Sequence, residues 1–579
     1  MFPRHTRLIP IGTRSLRYIV ILCILSLCSL VNSLVFPHQD VMKAEPASSQ
    51  LWSVIGGSSE GTGLEASDST AGEPTHEPVL DTLEDLIDAL QVMQDKYFVL
   101  WQGTWPTSID WTAAVLGTHV SAALSSLSAG PLDIPDSDGV QGLSFFTLEN
   151  TVNKFFSDTN AFYFGENAFS VRNQAYDDML WVVLGWLGSI KFQNLHSDLH
   201  YQSSNASSER PWYGTQFRVP AAHRARIFYE LASAGWDKLL CDGGMIWNPY
   251  LLPYKNAITN ELYISASIEM YLYFPGDPID APFIVDSERD ESLQRNPHDY
   301  AHLKAAVDGY DWLKNSNMTG IGGLYADGFH ISGWQGTTNP GSRKCDELNT
   351  MVYTYNQGVI LSGLRGLWIA TLSQAYLQDG YELIDRVLQA TGWPHISNQQ
   401  WKGLGRGGVL EEACDASATC SQDGQTFKGI FFHHLAEFCR PLQPQENRFL
   451  ADTARSHPNR DDWSDKSERH LQQCRTYGPW IKHNARAALM TRDSEGRFGS
   501  WWGRGWRQLE ADGIVDSKAL PPGAVDYRNA EQDPEPLEAG FKATMDYNDR
   551  GRGRSVETQS GGIAVLRALY QWQSYDTLP

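Results

Sequence analysis

The sequence predicts an all-α fold in which helical hairpins close into a toroid, and three observations predict it. Apolar residues recur at helical spacing from about Val79 onward, strand-like alternation is scarce, and the run from Met179 is apolar nearly all round. In that run Leu180, Val183, Leu184, Leu187 and Ile190 share one stripe while Trp181, Val182 and Trp186 cover other faces. A helix without a polar face needs neighbours on every side, so it belongs inside a large helical assembly whose inner helices bring loops to one rim.

The elements follow in order. Asp81-Thr82-Leu83-Glu84-Asp85-Leu86 opens with acids and continues at helical spacing, as a helix start does. After the Met179 helix, stripes recur at Ile227, Leu231 and Ala234, at Ile264, Ile268 and Leu272, and at Ala306, Tyr310 and Leu313. Ile360, Leu364, Leu367 and Trp368 mark the next, and Phe427, Ile430, Phe431, Leu435 and Phe438 a later one. The intervening loops are rich in Gly, Asn and Pro but too irregular for a sequence repeat. Residues 441–467 are charged, Pro-containing and weakly periodic, and read as a surface insertion.

Before this domain, assigned to 79–579, two segments read differently. Arg4, Arg7, Arg14 and Arg17 precede an apolar run from Tyr18 to Val31, and Val31-Asn32-Ser33 offers a cleavage site, so residues 1–33 read as a signal peptide cleaved near Ser33. A retained membrane anchor is the rival, but the apolar run is shorter than a usual spanning helix. Residues 34–78, rich in Ser, Gly, Glu and Thr, read as a flexible leader. The end of the sequence lacks the hydrophobic tail of a GPI signal. Cys241, Cys345, Cys414, Cys420, Cys439 and Cys474 would remain after cleavage, enough for three disulfides in an oxidising route, with Cys414 and Cys420 the most local pair. Asn205-Ala206-Ser207 and Asn317-Met318-Thr319 are sequons and agree with a secreted or wall-associated glycoprotein.

At 579 residues with 42% hydrophobic content the chain can build a sizeable core, and its formal charge of -22 argues against nucleic acid or anionic lipid as partner. An aromatic share of 12%, with 20 Trp and 24 Tyr, suits sugar platforms as well as core. The sharpest chemical feature is Ala175-Tyr176-Asp177-Asp178-Met179-Leu180-Trp181, two adjacent carboxylates flanked by aromatics at a helix start. Hydrolysis of a sugar acetal needs one carboxyl to protonate the leaving oxygen and another to attack the anomeric carbon or activate water. Locally, Asp at a helix start is explained as well by capping and by the helix dipole. Gly243-Gly244-Met245-Ile246-Trp247 leads into Tyr254-Lys255-Asn256-Ala257-Ile258-Thr259-Asn260-Glu261, and Tyr355-Asn356-Gln357-Gly358 and Phe427-Lys428-Gly429 repeat the loop-to-helix arrangement. Their polar residues either bind sugar hydroxyls or cap helices.

Those five blocks, in that order, resemble glycoside hydrolase family 76, the endo-alpha-1,6-mannanases with fungal members, over roughly Asp81 to Pro579. The resemblance implies an (α/α)6 barrel with a groove at one rim and retaining, endo-acting hydrolysis of alpha-1,6-mannan by two consecutive acids. By position Asp177 would be the nucleophile and Asp178 the general acid/base. Tyr176, Trp247, Lys255, Asn256, Asn260, Glu261, Asn356 and Gln357 would bind substrate. No cofactor and no metal is implied, and the expected partner of this monomer is alpha-1,6-mannan or a mannan-containing wall glycan. Retaining enzymes hold their carboxyl groups about 5 to 5.5 Å apart, which adjacent residues diverging by roughly 100° at a helix start can reach. The charge of Asp177 should raise the pKa of Asp178, keeping it protonated.

Four other readings stay open at this stage. A cell-wall transglycosylase would share the covalent intermediate and pass it to a sugar hydroxyl instead of water. A non-catalytic carbohydrate-binding wall protein would need no paired acids. A metal enzyme built on His433-His434 near Glu437 is disfavoured because adjacent His diverge on a helix and His434 fits the apolar stripe. Unsaturated-uronide hydrolases, also toroidal, would favour basic residues over this acidic balance.

Overall fold

The computed structural model describes residues 79–130, 142–167, 171–201, 212–279, 296–456, 463–506, 520–529 and 546–576. The signal peptide, the leader and the Asn205 sequon lie outside these residues. The compact unit runs from His76 to Pro579. Its helices are α1 (Val79–Tyr97), α2 (Asp110–Ala129), α3 (Gly142–Gly165), α4 (Tyr176–His200), α5 (Arg218–Ser233), α6 (Ala257–Tyr273) and α7 (Tyr300–Asn315). They continue as α8 (Thr354–Thr371), α9 (Gln374–Thr391), α10 (Gln422–Cys439), α11 (Pro444–Ser456), α12 (Trp463–Arg475), α13 (Gly478–Leu489) and α14 (Val556–Asp576).

Six of these form a closed ring: α2 packs on α4, α4 on α6, α6 on α8, α8 on α10, α10 on α14, and α14 back on α2. The others alternate with them along the chain and lie outside, α3 against α2, α5 against α4, α7 against α6, α9 against α8, and α1 and α13 against α14. This is the (α/α)6 barrel. Sequence decides which layer a helix joins. In α8 and in the Met179–Ile190 part of α4 nearly every position is apolar or small and buried, whereas α9 buries one stripe that includes Leu377, Leu383, Ile384 and Val387. Gly358 lets α8 and α10 approach closely, since a Cβ there would sit 2.6 Å from the Phe431 Cα.

Alternation of inner and outer helices makes the inner six run the same way. Thr112 at the start of α2 and Gln422 at the start of α10 both donate to Glu557 at the start of α14, at 2.9 and 2.8 Å. At the far end, Lys191 of α4 joins Glu269 of α6 and Glu437 of α10, at 3.0 and 3.2 Å, and Arg567 of α14 donates to Glu437 at 2.7 Å. Three short strands, β1 (Tyr254–Asn256), β2 (Gly328–His330) and β3 (Glu347–Asn349), pair antiparallel across the loops of the N-terminal rim, with Lys255 opposite Phe329 and Phe329 opposite Leu348. A two-residue pair, β4 (Gly405–Arg406) and β5 (Val409–Leu410), lies between α9 and α10.

All six described cysteines are bridged, Cys241 to Cys345, Cys414 to Cys420 and Cys439 to Cys474. Within 441–467, read from the sequence as a surface insertion, the described residues include α11 and the start of α12. Glu446 from it is buried under the barrel, accepting from Tyr273 at 2.5 Å and from Arg365 and Arg440 at 2.9 and 2.6 Å. A charged residue in a weakly periodic stretch reads as solvated until its cationic partners, on distant helices, are known. His433 and His434 are core residues, kept neutral chiefly by burial, with His434 Nδ1 hydrogen bonded to Ser362 Oγ at 2.6 Å. No described helix is long and apolar enough to cross a membrane.

Candidate active site

The N-terminal ends of the inner helices converge on one rim, and their dipoles place positive potential where the acids gather. Asp177 and Asp178 stand in the first turn of α4. Their surroundings differ. Asp177 is 5% exposed, and its Oδ2 accepts the indole N–H of Trp247 at 3.0 Å while an Arg528 nitrogen lies 3.6 Å away. Its Oδ1 accepts the backbone N–H of Asp178 at 3.1 Å. Among the described residues Asp178 has one donor, the backbone N–H of Ala175, which its Oδ2 accepts at 3.1 Å. This reach back to the start of the helix is the capping bond expected of an acid at that position.

The electrostatics follow. Burial raises the Asp177 carboxyl to about 6, held from going higher by Arg528 first and then by the hydrogen bonds from the Asp178 N–H and the Trp247 indole. Asp178 is pushed well above the ordinary carboxyl range, by burial first and then by the charge of Asp177. The pair therefore sheds one proton readily and keeps the other, with the retained proton on Asp178.

Trp247 is placed by backbone. Its carbonyl accepts the Tyr176 N–H at 2.9 Å and its own N–H reaches the Tyr254 carbonyl at 2.8 Å, tying the loop before β1 to the start of α4. Tyr176 lies against Gly235, partly exposed beside Trp247. The other six residues expected to bind substrate are at the same end of the barrel but beneath its surface. Lys255 is fully buried, and its ammonium donates to the carbonyls of Asp237, Leu240, Gly243 and Gly244 and pairs with Asp237 at 3.3 Å. It clamps the Gly-rich turn, where Gly244 has φ +86° and any Cβ would strike the Trp312 ring. Asn256 caps α6 by accepting the Thr259 N–H at 3.3 Å, and Asn260 brackets Met245, accepting its N–H at 2.7 Å and donating to its carbonyl. Gln357 does the same for Tyr325, accepting at 2.9 Å and donating at 2.9 Å. Glu261 and Asn356 are buried, and their side-chain polar atoms meet no partner among the described residues. Burial alone raises Glu261 well above its ordinary value, so it is a neutral acid.

Residues outside the sequence reading complete the site. Arg528 comes from the strap 520–529, which crosses the rim between α13 and α14. The strap is pinned by Asn349, exchanging hydrogen bonds with Val525 at 2.8 and 2.9 Å, and by Asn529, whose Oδ1 accepts the Ser421 N–H at 2.7 Å. The guanidinium lies 5.0 Å from the Trp247 ring centroid, and its charge is felt at Asp177, Asp327, Asp423 and Tyr355. Asp423, in the first turn of α10, accepts the Trp111 indole N–H at 3.0 Å, and Trp111 stacks on Trp181. Tyr355 stacks on Phe427 at 3.9 Å, and its buried hydroxyl has no partner among the described residues. No local pattern marks Arg528, since the strap has no periodicity. Asp423, an acid just after Ser421 at a helix start, reads as a cap.

Among the described residues the grouping closest to a metal-ligand set is Cys414, Asp415 and Cys420, whose sulfurs are consumed in a disulfide. Asp415 is instead neutralised by Lys428 at 2.7 Å.

A model of glycosyl hydrolase family 76 matches residues 292–487, from the segment before α7 into α13. No curated protein matches the sequence. Among solved structures, the chain is similar to an inactive variant of the alpha-1,6-mannanase GH76A of Salegentibacter sp. HEL1_6 in complex with alpha-1,6-mannotriose, at 15% identity over 85% of this chain and 100% of that one, TM-score 0.47. It is similar also to a glycoside hydrolase family 76 mannosidase from Bacteroides thetaiotaomicron VPI-5482, at 12% identity over 86% and 100% of the two chains, TM-score 0.46. A third is Dfg5 from Chaetomium thermophilum in complex with glucosamine, at 12% identity over 87% and 92%, TM-score 0.46. Over residues 292–487 the sequence is thus similar to glycosyl hydrolase family 76.

Proposed function

We propose that the chain is a retaining, endo-acting hydrolase of alpha-1,6-mannan, with Asp177 as nucleophile and Asp178 as general acid/base. The observation that carries this reading is the unequal setting of the two acids. Asp177 meets a cation and an indole N–H, which favour its ionised form, while Asp178 has one backbone donor and a neighbouring negative charge. Capping alone would need neither Arg528 nor Trp247.

In the first step a carboxylate oxygen of Asp177 bonds to the anomeric carbon as the glycosidic C–O bond breaks, and the leaving oxygen takes the proton of Asp178. Because Asp178 Oδ2 is engaged by Ala175, the proton sits on Oδ1. In the second step Asp178, now a carboxylate, takes a proton from water as the water oxygen bonds to the anomeric carbon and Asp177 departs. Trp247, Tyr176 and Trp111 supply ring faces for the sugars. Alpha-1,6-mannan is the substrate implied by the sequence blocks at Tyr176–Trp181 and Gly243–Trp247. A secreted or wall-associated setting is supported by the three disulfides.

The test uses linear alpha-1,6-mannan and an activated alpha-mannoside. Asp177→Ala should abolish turnover of both and, with azide, yield at most an azide of inverted configuration. Asp178→Ala should keep activity on the activated substrate and give an azide product of retained configuration. Mass spectrometry of the mannan products separates hydrolysis from transfer, since transfer gives chains longer than the input. Full mannan turnover by both folded variants would reject the proposal.

A further inference from the structure

A small, solvent-open cavity lies beside the loop that precedes α14, lined by Asp415, Gln425, Trp501, Tyr547, Arg550 and Arg552 among others. Two guanidiniums crowd the same ring there, Arg504 at 4.2 Å and Arg550 at 4.9 Å from the Tyr547 centroid, with Arg550 also 5.6 Å from Trp501. Arg550 donates to the carbonyls of Tyr547 and Ala416, each at 3.0 Å, which leaves the rest of its five N–H donors uncommitted among the described residues. Arg504 makes no side-chain hydrogen bond to a described residue. The neighbouring acids have other partners: Asp415 pairs with Lys428, Glu411 with Arg406 at 3.2 Å, and Asp546 and Asp549 share Arg554. In a chain of formal charge -22, Arg550 in the lining and Arg504 beside Tyr547 put a local excess of positive charge at this cavity.

The cavity is on the rim that holds the acids. Gln425 follows Asp423 by two residues in α10, and Ser421 is held by Asn529, the neighbour of Arg528. Guanidiniums that keep their faces on aromatic rings direct in-plane N–H groups outward, where they can hold an oxyanion such as a phosphate or sulfate. We propose that this cavity is an anion subsite of the groove, taking a phosphate or sulfate ester carried by a glycan. Its place as a subsite rests on the hydrolase reading; its affinity for the ester does not.

Calorimetric titration of the full chain with mannose 6-phosphate, mannose 6-sulfate, mannose and inorganic phosphate tests it. One or both esters should bind where mannose does not, and which one binds tells the source of the anion. Arg504→Gln should weaken ester binding roughly tenfold or more with an unchanged unfolding midpoint, and Arg550→Gln should weaken it at least as much. Asp177→Asn should retain the ester affinity, so that loss of mannan turnover and loss of the anion site are read separately. Ester binding that survives both folded arginine variants, ester binding absent from the parent, or binding of inorganic phosphate alone would overturn the proposal.

Discussion

Replacing Trp247 by Phe isolates one interaction at the reacting pair. The ring face that meets Arg528 is kept, while the N–H that reaches Asp177 Oδ2 at 3.0 Å is lost. A hydrogen bond to a charged group is worth about 1.5 to 3 kcal/mol, and about 1.4 kcal/mol changes an ionisation equilibrium tenfold. The Asp177 carboxyl, which titrates at about 6, should therefore rise by roughly 1 to 2 on the pH scale. In the proposed mechanism Asp177 attacks as a carboxylate, so the acid limb of the kcat/KM profile should move to higher pH by that amount. Well below the limb, at about pH 4.5, the loss should be roughly ten- to hundredfold, and it should shrink as pH rises toward the point where Asp178 begins to lose its proton. The assay is a pH profile on an activated alpha-mannoside, on which leaving-group protonation matters least. An acid limb that stays in place, or a loss equal at every pH, would refute the assignment of Trp247 as the donor that keeps Asp177 charged.

Glu261→Gln should become progressively more stable than the parent as pH rises above about 4.5, by up to ~1.4 kcal/mol for each tenfold fall in proton concentration, because the unfolded chain ionises there while the folded one keeps its proton. A stability difference independent of pH in urea titrations would count against a neutral buried acid. Lys255→Met should cost about 3 to 5 kcal/mol by stranding the carbonyls and the Asp237 charge that the ammonium serves, seen as a lowered unfolding midpoint, and a midpoint equal to the parent's would disprove the clamp. Replacing Cys241 and Cys345 together by Ser should cost about 2 to 5 kcal/mol, since that bridge closes a separation of 104 residues, whereas an unchanged urea midpoint would show the rim loops held by other contacts.

The helices are legible in the sequence because burial on all sides leaves an unmistakable composition: the stripes at Ile264, Ile360 and Phe427 all lie on ring helices. The pair Cys414–Cys420 is legible through its proximity along the chain. Asp177 and Asp178 stand out as adjacent acids before an apolar helix. What sequence leaves ambiguous is whether a polar residue at a helix start faces outward or secures the scaffold. Asn256, Asn260 and Gln357 have side chains equally suited to a sugar hydroxyl and to a backbone amide, and only the distance to Met245 or Tyr325 shows which is satisfied. Arg528 is invisible for a different reason: its partners Asp177 and Trp247 lie hundreds of positions away, and nothing in its own neighbourhood announces them.

The ring is closed by α14, which seats between α10 and α2 and also receives α1. Its bonds reach far back along the chain, Gln559 to the Ala89 carbonyl over 470 positions and Arg567 to Ser126 over 441. Until that helix docks, α2 and α10 each present an apolar flank, and the strap bearing Arg528, which leads into it, lacks its downstream anchor. Assembly is therefore governed by contacts of very long sequence separation, which form slowly and leave apolar surface open to aggregation meanwhile. A chain in which α14 has not yet docked displays Asp177 and Asp178 on an incomplete ring, so completion of the rim around these two acids and closure of the barrel arrive in the same late event.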